Sequence, residues 1–143
     1  MARIDDGWQT LITFANAPSI ALLFAEKSVT PPGIDGGGLN DTTTMRNSVW
    51  RTGAPKNLKT LSESGFECSY DPAVLDDILT MINDNQLITI TFPDGSSWDF
   101  WGFLNSFKPN PVVEGQQATA VCQLLPTNQN ADGVETAPVH NEA

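Results

Sequence analysis

A chain of 143 residues with 17 acidic against 7 basic side chains, net charge −10, repels a phosphate backbone rather than neutralising it, which excludes conventional nucleic-acid binding. The length favours one domain with a core that needs no metal or disulfide staple; with 40% apolar and 17% charged residues, its surface relies on Ser, Thr, Asn and Gln. The start, Met1 to Gly7, lacks a basic segment followed by an apolar run, and no stretch approaches the roughly 20 apolar residues that span a bilayer, so a soluble protein made in the cytoplasm, with no membrane contact, is expected.

In chain order, Thr10–Ala15 and Ile20–Glu26 read as strands around Asn16–Ser19, a plausible hairpin. Two prolines and four glycines between Thr30 and Gly38 rule out regular structure there. From about 36 to 60 the chain is polar and β-branched, broken at Gly53 and Pro55, which fits two strand fragments around a long excursion. A loop of that length in a compact domain usually has work to do. Its basic residues, Arg46, Arg51, Lys56 and Lys59, are spread out and form no cluster. Ser62–Tyr70 alternates, with Phe66, Cys68 and Tyr70 on one face and Glu67 and Ser69 on the other.

Asp71-Pro72 opens the one helix, with Asp71 as cap, Pro72 at the first turn and Val74, Leu75, Ile78, Leu79 and Ile82 as the apolar stripe. Gln86–Phe92 is a strand with Ile88, Ile90 and Phe92 inward, and Pro93-Asp94-Gly95-Ser96 turns it into Ser97–Leu104. Trp98 to Phe103 is partly apolar on both faces, which predicts cover from both sides, one of them from a neighbouring subunit. After a Pro-rich link at 108–111, Gln116–Leu125 is the final strand, with Ala118, Ala120, Cys122 and Leu124 inward. Residues 1–126 then form the domain and the aperiodic 127–143 an extended arm or disordered tail. Strands, one helix and more strands predict a mainly β fold, an antiparallel β-sandwich or barrel of two packed sheets with one flanking α-helix.

Chemistry is thinly supplied. The one histidine, His140, lies near the end of the tail, so triad catalysis and His/Cys metal sites lack ligands. Asp35 to Asp41 has carboxylates among glycines but not calcium-loop spacing, and its glycines do not join a strand to a helix as a phosphate loop would. Glu63, Glu67, Asp94 and Asp99 could in principle converge as a glycosidase pair. Trp98, Phe100, Trp101 and Phe103 could stack sugars, although such rings more often build cores and interfaces. Trp50 is either an interface anchor or a ring folded back on its own domain. Cys68 and Cys122 read as reduced core cysteines; a disulfide requires their strands to be neighbours. The expectation is no catalytic residue, no metal and no cofactor.

Read together, Leu39-Asn-Asp-Thr-Thr-Thr-Met45, Arg51-Thr-Gly-Ala-Pro-Lys-Asn-Leu58, Ser64 to Pro72, Ile88 to Ser96, Trp101-Gly-Phe-Leu104 and Phe107-Lys-Pro109 resemble, in order, the major tail tube proteins of long-tailed, siphovirus-like bacteriophages. The resemblance spans about Ile34 to Asn128 and leaves the first thirty residues poorly matched. It implies a non-enzymatic virion tail protein, assembled in the host bacterial cytoplasm. Homo-hexameric rings would stack into the tube that conducts the genome, with the tape-measure, tail terminator and distal tail proteins as further partners and double-stranded DNA passing without specific binding.

On that resemblance, Glu63, Glu67, Ser69, Thr89, Thr91, Gln117, Thr119 and Gln123 face the lumen. Asp41, Thr43, Met45, Arg46, Trp50, Arg51, Leu58 and Trp101 make contacts between subunits or rings, with the excursion as the stacking arm. Rival readings are a tail terminator or secretion-system tube, and, in a different class, a carbohydrate-binding module or other β-sandwich adhesion protein that would keep the Trp98–Phe103 rings exposed.

Overall fold

The computed structural model describes residues 10–15, 26–70, 72 and 75–142. In chain order the elements are β1 (Leu11–Phe14), β2 (Glu26–Thr30), β3 (Ile34–Asp35), β4 (Leu39–Asp41), β5 (Gly53–Pro55), β6 (Thr60–Leu61), β7 (Ser64–Ser69), α1 (Leu75–Met81), β8 (Gln86–Thr91), β9 (Ser97–Pro109), β10 (Thr119–Pro126) and β11 (Val139–Asn141). Among the described residues the mainly β antiparallel fold with one helix is therefore what forms. It is a seven-stranded sheet in the order β1-β8-β9-β10-β7-β2, with β11 also on β9 and two small ladders, β3-β6 and β4-β5, apart from it.

The sheet curls, and β9 is the reason. Its first half, Ser97–Gly102, pairs with β8, while its second half, Gly102–Pro109, pairs with β10. Between Leu104 and Ser106 the register to β10 shifts by one residue, a bulge at Asn105 that bends the strand and strengthens its twist. The two ends of the sheet then approach each other: the Ile12 N–H donates to Glu26 Oε1 at 3.4 Å. Residues 16–25, which hold the expected Ile20–Glu26 strand and its hairpin, lie outside those described; β2 starts at Glu26 and pairs with β7, not with β1.

Inside the curl, alternation does what period two demands. Ile12, Phe14, Phe66, Cys68, Ile88, Ile90, Phe100, Leu104, Ala120, Cys122 and Leu124 are all buried, and each large apolar side chain among them contributes roughly 1.5–3 kcal/mol of transfer free energy. Tyr70, Phe92, Trp98 and Phe107 close the cluster from its rim. Cys68 and Cys122 are free thiols on the adjacent strands β7 and β10. A hydrogen bond between them holds the Cys68 thiol below its ordinary range, and with burial raises that of Cys122.

Two expectations are corrected here. The buried face of α1 is Ile78 and Met81, while Leu75 and Leu79 are exposed. A helix of about two turns over a curved sheet presents a narrower stripe than the five apolar residues suggested, of which Val74, like the expected cap Asp71, lies outside the described residues. The segment after Pro126, expected as an extended arm or disordered tail, folds back: Thr136 N–H donates to the Asn128 carbonyl at 2.8 Å, Gln129 bridges to Glu135, and β11 pairs with Ser97–Asp99. Thus β10 is not the last strand. Where β10 leaves β9 at Gly102, its edge is open, and β11 fills it.

Gly102 sits at that exchange, and a Cβ there would lie 2.7 Å from the Leu125 carbonyl oxygen and 3.2 Å from Pro126 Cα. Gly102→Val is expected to lower the urea midpoint by the equivalent of roughly 1–3 kcal/mol. Gly36→Val, where an added Cβ meets nothing within 4 Å, should change stability by less than about 0.5 kcal/mol; equal effects would show that Gly102 is not a close-approach position.

Candidate functional site

Two surfaces gather most of the residues singled out above. The first is a polar strip on the outer face of β7 and β10. Glu67 stands opposite Val121, and Ser69 opposite Thr119. Gln123 Nε2 donates to Glu63 Oε2 at 2.6 Å and its Oε1 accepts from Asn105 at 3.1 Å. Gln117 Nε2 donates to Ser69 Oγ at 2.8 Å, and Asn110 donates to Thr119 Oγ1 at 2.9 Å. These bonds tie the long polar side chains to one another across the strands, and Glu63, Glu67 and Gln123 line a shallow dish of about 540 Å³. Six of the eight lumen candidates are therefore brought together.

Thr89 and Thr91 are not with them, because they lie on β8, across β9, opposite Asp99 and Ser97. The strip also contains groups that sequence reading missed. Lys108 stands opposite Val121 and lines the dish with Ser28, Glu63 and Glu67, so the strip carries a cation among its acids. The sequence signal was the alternation of β9 past the Asn105 bulge, which is invisible before the register is known.

The second surface is the excursion. Leu39 pairs with Pro55 and Asp41 with Gly53, and beyond this short ladder a turn is tied by its own polar groups. Thr42 N–H donates to the Thr52 carbonyl at 3.0 Å, Thr52 N–H to Thr43 Oγ1 at 3.0 Å, Asn47 Nδ2 to the Trp50 carbonyl at 2.8 Å, and Thr43 N–H to Asp41 Oδ1 at 2.9 Å. Hydrogen bonds from Thr43 hold the Asp41 carboxyl below its ordinary 3.8, and Arg51 reaches it at 3.6 Å. Such Thr, Asn and Asp bonds to nearby backbone are what fix a turn without a core.

The apolar side chains of this hairpin are left in solvent: Met45 is 102% and Trp50 82% exposed, and Leu39, Val49 and Leu58 are exposed as well. Asp41, Thr43, Met45, Arg46, Trp50 and Arg51 thus share one arm, with Leu58 at its root. Trp101 is elsewhere, half-buried on the outer side of β9 opposite Leu87. Of the four rings once weighed as a sugar platform, Phe100 is buried and Trp98 packs on the core, while Trp101 and Phe103 face the opposite way; the four do not form one exposed face.

Among the described residues no group of three or more His, Cys, Asp or Glu side chains is placed to hold a metal. Asp35 and Asp41 each accept a backbone N–H two residues on, as turn carboxylates do. His140 is exposed on β11 opposite Trp98, and no helix among the described residues is long and apolar enough to cross a membrane.

No protein-family model matches the chain, and no curated protein does. Solved structures do. A chain of the anti-feeding prophage (AFP) baseplate, determined by cryo-electron microscopy with six-fold symmetry, is similar with a TM-score of 0.67 at 10% identity, covering 99% of this chain and 98% of that one. A chain of the PVC sheath-tube complex, an extracellular contractile injection system in its extended state, is similar with a TM-score of 0.65 at 13% identity, covering 96% and 91%. The chain therefore has the fold of components of phage-like contractile injection systems.

An arm tied by its own bonds and packed on nothing predicts a clean separation of stability from assembly. Trp50→Ala should leave the thermal midpoint of the unassembled protein unchanged within the equivalent of about 0.5 kcal/mol; a large drop in calorimetry would mean that the ring packs on its own domain.

Proposed function

We propose that this chain is a structural subunit of a phage-like tail, which forms hexameric rings that stack into the tail tube and acts by assembly rather than by chemistry. The observation that carries this reading is the arm. Exposing Met45, Val49, Trp50 and Leu58 on one projection leaves apolar surface in water that a monomer gains nothing from, and a patch of that kind marks a protein–protein contact. The fold supports it as well, because it is shared along nearly the whole chain with the AFP baseplate component.

In this reading β1 and β2, the ends of the sheet order among the described residues, pair with neighbouring subunits, as exposed sheet edges otherwise invite aggregation. The arm reaches the next ring. The strip of Glu63, Glu67, Ser69, Gln117, Thr119 and Gln123 lines the lumen, where carboxylates and short polar groups on a chain of net −10 repel passing phosphates and keep DNA from sticking. The tape-measure, tail terminator and distal tail proteins are the further partners, and the assembled location is the virion tail. A sugar-binding module is the weaker reading, since Phe100 is 1% exposed and cannot stack on a ligand.

The purified chain at high concentration and moderate salt should form stacked rings or striated hollow tubes in negative-stain electron microscopy, and deletion of Asn40 to Leu58 should abolish stacking while the strand signal in circular dichroism persists. A wild-type chain that stays monomeric at every concentration overturns the reading. In assembled particles, Glu63→Lys with Glu67→Lys should leave tubes intact and slow DNA passage; unchanged ejection kinetics would remove the strip from the lumen.

A further inference from the structure

The arm is also electrostatically unlike the rest of the molecule. Residues 36–60 hold Arg46, Arg51, Lys56 and Lys59 against Asp41 alone, a net of +3 on a chain of −10. The C-terminal segment from Thr127 onward has the opposite character, with Asp132, Glu135 and Glu142 and no Lys or Arg. In three dimensions that segment forms one wall of a groove of about 520 Å³, whose other wall is the root of the arm, with Ile34, Leu58 and Leu61 facing Glu135, Ala137 and Pro138. Asn128 lines the same groove, and its side-chain oxygen is covered without a hydrogen-bond partner. The groove thus offers apolar cover between the Glu135 carboxylate on one wall and the Lys59 ammonium on the other. The arm's tip offers an indole, which has one N–H donor and no acceptor, and guanidinium groups.

The register shows why these surfaces do not meet within one chain. The tip lies beyond the Asp41–Gly53 end of the β4-β5 ladder, and the groove lies beyond its Leu39–Pro55 end. A rigid hairpin cannot bring its tip to its own root. A second copy can, and the contact between two different patches of identical chains is heterologous, so it runs head to tail, around a ring or along a stack, instead of closing as a two-fold dimer.

We propose that the arm's tip, led by Trp50 and flanked by Arg46 and Arg51, seats in the groove between the arm root and the acidic C-terminal segment of the next copy. This rests on the stacking reading above and adds the receptor to it. The folding back of the tail then has a use: it brings Glu135 to the wall opposite Lys59 and so builds the groove that receives the arm. Opposite charges at such a rim chiefly raise the rate of encounter and fix orientation, and the indole supplies most of the affinity as an anchor in an apolar pocket.

The test is a full chain carrying Ser48→Cys and Ala137→Cys, two exposed positions that leave the indole in place, oxidised under assembly conditions and run on a non-reducing gel. A ladder of covalent oligomers that collapses on reduction is expected, with neither single variant giving one. Glu135→Arg in that background should slow ladder formation at low salt by up to about fivefold; an unchanged rate takes the Glu135 wall out of the contact. Stacks visible by electron microscopy without a ladder would overturn the groove as receptor and leave stacking intact. Dimers from Ser48→Cys alone would mean that tip meets tip, which also overturns it. A wild-type chain that forms no stacks removes both readings together.

Discussion

Everything in this molecule hangs on one strand serving two half-sheets. β9 runs thirteen residues, about twice an ordinary strand. Its first half belongs with β1 and β8, and its second with β10, β7 and β2. A strand that long cannot stay straight under the right-handed twist of a sheet, and the bulge at Asn105 concentrates the bend. The bend carries Phe100 and Leu104 to the middle of a curled sheet, where the inward residues of both halves converge on them. Without it the halves would face solvent separately, and neither alone would bury enough apolar area to be stable.

The same bend explains the fate of the tail. β8 occupies one edge of the first half of β9 and β10 only the second half of the other edge, so a short length of backbone donors and acceptors would be left open at Ser97–Asp99. β11 occupies it, and the chain between β10 and β11 is thereby laid against the root of the arm as the wall of a groove. The closing of a sheet edge and the making of a surface concavity are thus one structural event. Intramolecular edge pairing also guards that end of the sheet against unspecific pairing.

The arm follows opposite rules. The barrel hides its apolar residues and is ordered by them, whereas the hairpin shows its apolar residues and is ordered by threonine, asparagine and aspartate bonds to its own backbone. An arm stiffened before it meets a partner loses less conformational entropy on docking than a loop that must order at that moment. In the stacking proposed above, concentrating most of the cations on the projecting element of an acidic chain would let like-charged copies approach in one orientation, arm first, and disfavour others.

Local pattern in the sequence determined the strands of the barrel, the alternating core of Phe66, Cys68, Ile88, Ile90, Ala120, Cys122 and Leu124, the Asp94–Gly95 turn and the existence of a polar excursion, because period two and turn chemistry depend on residues close in the chain. It also placed the arm residues together, since Asp41 to Arg51 are neighbours in sequence. It could not place Thr89 and Thr91 apart from the other six lumen candidates, nor Trp101 apart from the arm. It also gave no hint of Lys108 in the strip or of the pairing of a tail without periodicity. Those depend on strand order and register, which are set by which edge is left open after the sheet bends, a property of the closed fold and not of any stretch of residues.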